Sequence, residues 1–137
     1  MAMNRFQPQV LFDLLSKRPE SVASLSIEFW ELIASALIPL IGKEGFTFLY
    51  GRSLSITQST FPWLAAHQGP QQADTQFILL KQSLEEQVFT EARAASHTLF
   101  INFITILTVL IGESLTTHIL PVVWDEYVST ITNKEFP

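Results

Sequence analysis

The sequence predicts an all-α protein, a compact bundle of five or six helices around a central apolar helix at about residues 90–112. Three observations predict it. Apolar residues recur at three- and four-residue spacing along most of the 137-residue chain. No segment sustains the period-two alternation of a half-buried strand, and no Asn-Gly or Asp-Gly hairpin dipeptide occurs. The stretch Thr98 to Gly112 carries no charge, and its apolar residues point all round a helix, which suits the middle of a bundle or a membrane.

The first helix starts at Pro8, whose missing N–H is no loss in a first turn. It presents Val10, Leu11, Leu14 and Leu15. Lys17 and Arg18 suit its C-terminal end, and Pro19 stops it. The second helix runs from Val22 or Ser24 to Ile41. Ile27, Trp30, Ala34, Leu37 and Ile41 repeat along it, with Glu28, Glu31 and Ser35 on the opposite stripe. Pro39 removes one backbone hydrogen bond there and predicts a kink. Gly42 and Gly45 bracket a break, and a third helix then carries Phe46, Leu49, Tyr50, Ser53 and Ile56 on one face.

Phe61 to Ala73, punctuated by Pro62, Gly69 and Pro70, is the one long non-helical segment, packed down by Phe61, Trp63 and Leu64. Asp74 is the predicted N-cap of the fourth helix, which buries Phe77, Leu80, Leu84 and Val88. Thr90 caps the fifth helix, the one holding the central run, with Phe89 stapled onto Ala94. Beyond Gly112 the chain continues to Leu120 or restarts at Ser114. Pro121 kinks it or opens a helix holding Val122, Val123, Trp124 and Tyr127, and the tail from Thr130 is loose. No charged or Ser/Gly-rich linker divides the sequence, so it reads as a single helical domain over 1–137.

A shift of 70 positions aligns Leu37-Ile38-Pro39-Leu40-Ile41-Gly42 with Leu107-Thr108-Val109-Leu110-Ile111-Gly112. It also brings Glu28 onto Thr98 and Ser35 onto Thr105. Two helical halves related by a pseudo-twofold axis account for this. In that reading Gly42 and Gly112 let two backbones approach closely at a crossing.

Charged residues make up 15% of the chain, well below the roughly 25% usual in soluble domains, so some apolar surface is expected to be covered. The net charge of -5 and the lack of a basic stripe argue against nucleic-acid binding. The absence of cysteine removes disulfides and thiolate chemistry and fits a cytoplasmic location. The central run is about 15 residues long, whereas a membrane span needs about 20, so no membrane span is expected.

Catalytic signatures are missing. There is no Gly-rich phosphate loop, no Gly-x-Ser-x-Gly and no His-Glu-x-x-His, so no enzyme, metal site or catalytic residue is expected. His67, His97 and the upstream Phe46 resemble the spacing of the two histidines and the phenylalanine in globin-like haem pockets. Pro62 and Gly69-Pro70 interrupt the segment that such a fold needs as an unbroken helix, and no cofactor is expected.

The structural or interaction candidates are Arg52, Glu113, Asn102, Gly42, Gly112 and Trp63. Asn102 needs a partner, either a backbone carbonyl near Pro39 or a side chain that fixes helix register. Arg52 and Glu113, both set in apolar surroundings, are expected to form a partly buried ion pair. The function these features favour is that of a non-catalytic regulatory or adaptor protein. It would act by protein–protein interaction in signalling, with a protein partner or as a homodimer. The alternative is a sensor for an apolar small molecule, with a pocket among Phe46, Tyr50, Phe61, Trp63, Phe100 and Phe103.

Overall fold

The computed structural model describes residues 8–17, 21–64 and 73–135. Among them every regular element is a helix: α1 (Pro8–Lys17), α2 (Val22–Ile41), α3 (Lys43–Gln58), α4 (Ala73–Glu85), α5 (Phe89–Ile111) and α6 (Glu113–Glu135). The bundle of five or six helices expected from periodicity is present, with six.

Both helix-interior prolines lie within continuous helices. Pro39 lies inside α2 and Pro121 inside α6, and neither ends its helix. Pro39 sits in the exposed last turn, where Ser35, whose carbonyl loses its bond, is exposed. At Pro121 the neighbouring Leu120, Val123 and Tyr127 are buried at 5%, 3% and 0% exposure, and that burial offsets one missing bond. α6 therefore stays helical to Glu135, where a loose tail was expected from Thr130. The caps also differ from expectation. α4 begins at Ala73, so Asp74 lies inside its first turn, and Val88 sits beyond its end and is exposed. Val88, in extended geometry, precedes α5, and its carbonyl accepts the Ala92 N–H at 3.0 Å. Thr90 is thus in the first turn rather than at the cap.

The 70-residue repeat is a structural repeat. Burial along residues 22–42 matches burial along 92–112 at every position except 24/94 and 34/104. α3 packs on α5 as α6 packs on α2, and α1 packs on α5 as α4 packs on α2. Each half thus lends its first and third helices to the long helix of the other. Ser26 and Ser96, equivalent under the shift, share a buried hydrogen bond of 2.9 Å. A residue that touches its own equivalent marks where the approximate twofold passes.

Gly42 and Gly112 have a different role from the one expected. Both are exposed, and a Cβ at either would meet nothing within 4 Å, so neither sits at a helix crossing. What they supply is φ of 84° and 93°, a conformation that glycine adopts freely. Each turns a corner between two helices. Gly42 N–H donates to the Ile38 carbonyl and Gly112 N–H to the Thr108 carbonyl, both at 2.8 Å.

The core is aromatic. Trp30, Phe29, Phe46, Tyr50, Phe100, Phe103 and Tyr127 are all within 1% of full burial. Trp30 packs edge-on against Phe103 at 4.9 Å between centroids and Tyr50 at 5.1 Å, and Phe29 against Phe100 at 4.9 Å. Edge-to-face pairs at these spacings add favourable quadrupole contacts to the burial.

Four helices, α1, α2, α3 and α6, pack on α5, although its last turn is open, with Val109 84% and Leu110 59% exposed. The expectation of no membrane span fails. α2 and α5 are each long and apolar enough, by length and composition, to cross a membrane, and only a minority of either apolar stretch is buried in the bundle. Counting only the uncharged run missed this. α5 starts at Phe89 and tolerates Glu91 and Arg93 at its beginning, which gives it 23 residues, and α2 has 20.

Candidate functional site

The expected site residues do not converge. Arg52 lies on the outer face of α3 with Phe48, Ser55 and Ile56, and it is exposed. Glu113 is exposed in the first turn of α6, where the helix dipole favours a carboxylate. The expected partly buried pair is therefore not formed, since water solvates each charge where it stands. Trp63 is half-buried, and its Nε1 donates to Glu91 Oε1 at 3.2 Å, joining the loop after α3 to the start of α5.

Asn102 finds its partner in a side chain of α3 rather than in a carbonyl near Pro39. Its Nδ2 donates to Thr57 Oγ1 at 2.9 Å, and that buried hydroxyl donates to the Ser53 carbonyl at 2.8 Å. On the other side of the twofold, Tyr127 Oη donates to the Leu25 carbonyl at 2.7 Å. Tyr50 Oη is buried without a partner, and burial pushes its phenol well above the usual range.

The aromatic residues proposed as pocket lining separate into two groups. Phe46, Tyr50, Phe100 and Phe103 belong to the ring-on-ring core with Trp30, whereas Phe61 pairs with Trp63 at 5.9 Å. An open groove of about 480 Å³ lies elsewhere, between α2 and α4, lined by Glu31, Ala34, Ser35, Ile38, Lys43 and Phe77 among others. His67 falls outside the described residues, His118 is exposed, and His97 faces α1 rather than Phe46. Among the described residues no three His, Asp or Glu side chains gather as metal ligands.

Two features stand out. The first is the pair of corners where α2 and α5 finish. Contacts between these helices advance in the same direction along both: Ser26 meets Ser96, and Trp30 meets Phe100 and Phe103. Phe46, one turn past Gly42, also packs on Phe103 in the C-terminal half of α5. Each helix finishes at a glycine corner, α2 at Gly42 and α5 at Gly112. There Leu40 is 55%, Leu110 59%, Val109 84% and Leu115 40% exposed, and Phe48 on α3 is 74% exposed.

The second feature is the seam between α1 and α5. The Arg93 guanidinium lies 4.3 Å from the centroid of Phe12 and 4.8 Å from that of Phe89, and its Nη1 donates to Ser16 Oγ at 2.9 Å. One turn further, the His97 ring meets Phe12 edge-on at 5.1 Å. Burial lowers the His97 pKa below the ordinary histidine value, and the Asp13 carboxylate acts in the opposite direction. Sequence reading gave Arg93 no role and set His97 against His67 and Phe46, because their partners lie on a helix some 80 residues earlier.

The chain matches no protein-family model, no curated protein and no solved structure.

Proposed function

We propose that the protein is a non-catalytic regulatory or adaptor module that acts in signalling by docking a protein partner. The observation that carries this reading is the exposure of apolar residues at the two glycine corners, Leu40 beside Gly42 and Val109, Leu110 and Leu115 around Gly112. Soluble surfaces scatter such residues singly, and grouped exposure marks a surface that something covers. The scarcity of charge supports the same reading.

The test compares capture by the full chain and by a Val109→Asp, Leu110→Asp variant. Both residues are exposed, so helicity is expected to survive the change. The reading requires a saturable protein partner that the variant loses by roughly tenfold or more, the scale of an interface anchor. Equal capture by both proteins overturns it. So does a wild-type chain that stays in membranes through alkaline washing, which assigns the apolar corners to lipid.

A further inference from the structure

The α1–α5 seam holds two polar atoms that docking has cut off from water and left unbonded, Arg93 Nε and His97 Nε2. Docking α1 buries Leu11 and Leu15 to 1% and 0% exposure, which favours it. Each unbonded polar atom opposes it by about 1–3 kcal/mol. The helix is ten residues long, too short to hold itself together in water once detached. Among the described residues α5 is the helix it packs on, so its departure leaves the packing of α2 to α6 in place.

We propose that α1 is a releasable clasp: it leaves α5 when His97 takes up a proton, while α2 to α6 stay folded. A proton on His97 places a second cation one turn from Arg93, beneath the Phe12 ring that both touch. Asp13 on α1 is the charged group that acts on His97 from across the seam. Among the described residues no charged group of α2, α3 or α6 is felt there. Asp13 is exposed, so solvent screens its attraction for the new charge.

The direction with pH follows. Docked His97 holds a proton less tightly than a solvated histidine. Docking is therefore at full strength above the ordinary histidine value of about 6.5 and weakens as pH falls through it. Detached, α1 frees Arg93 and His97 to water together.

Amide hydrogen exchange on the full chain tests this at about pH 7.5 and about pH 5.5, with rates corrected for the intrinsic pH dependence of exchange. Protection of Phe12 to Lys17 is expected to fall by roughly threefold or more at the lower pH, while protection in α4 holds. In His97→Gln and His97→Leu that selective loss is expected to disappear, and the two variants together guard against one of them failing to fold. Protection of α1 that ignores pH overturns the proposal. So does simultaneous loss in α1 and α4, or a pH response that survives in both variants.

Discussion

α4 lies on α2 with Phe77, Leu80 and Leu84 buried, and where α5 has Arg93 and His97, α2 has Ala23 and Ile27. α1 lies on α5 with Leu11 and Leu15 buried, but it also covers the Arg93 guanidinium and the His97 ring. The two seams occupy equivalent places in the repeat. Backbone plan alone therefore does not decide how firmly a helix is held. Apolar burial decides it in one seam, and in the other that burial is set against two buried polar atoms, Arg93 Nε and His97 Nε2, left unbonded.

Truncations sharpen the comparison most. Leu84→Ala is expected to lower the stability of the whole bundle by about 2–5 kcal/mol, read as a lower midpoint in urea. Leu15→Ala removes the same atoms from the other seam and is expected to expose α1 amides to exchange before the rest unfolds. Equal, fully cooperative losses at the two sites would erase the distinction between the seams.

The axis gives the next effect. Ser26→Ala or Ser96→Ala alone leaves a buried hydroxyl without its partner and is expected to cost about 1–3 kcal/mol. The double variant is expected to cost clearly less than the sum, and strict additivity would show that the pair does not interact. Gly42→Ala and Gly112→Ala are each expected to cost about 1–2 kcal/mol, because both hold positive φ with open space around them. A large gap between these two values would break the equivalence of the corners. Smallest of all, Arg52→Ala and Glu113→Ala are expected to stay within about 0.5 kcal/mol, checked by the same denaturation curves.

What the sequence showed and what it hid have physical causes. Periodicity is local, so the six helices and the register of the Leu-Ile-Gly repeat were legible from it. That α6 runs on through Pro121 rather than restarting there was out of reach, because the packing that offsets its missing bond, through Leu120, Val123 and Tyr127, is tertiary. Gly42 and Gly112 were noticed correctly as a pair but for the wrong reason, since a glycine in a sequence does not say whether it serves a contact or a dihedral. The Arg93 seam was out of reach, because its residues meet across 77 positions of chain. The pairing of Arg52 with Glu113 failed because apolar neighbours in sequence do not make a position buried on a helix with an outer face.

The bond from Tyr127 to the Leu25 carbonyl spans 102 residues, and it has a consequence for how the protein is made. Contacts this distant in the chain form late and slow the approach to the native state. During synthesis α2 leaves the ribosome well before α5 and α6 exist, and its Phe29 and Trp30 have no Phe100 or Tyr127 to meet. For that interval α3 and α4 can pack on α2, but the faces that meet α5 and α6 have nothing to cover them. The nascent chain's demand for a holding surface, whether a chaperone or a bilayer, lasts until α6 closes over α2.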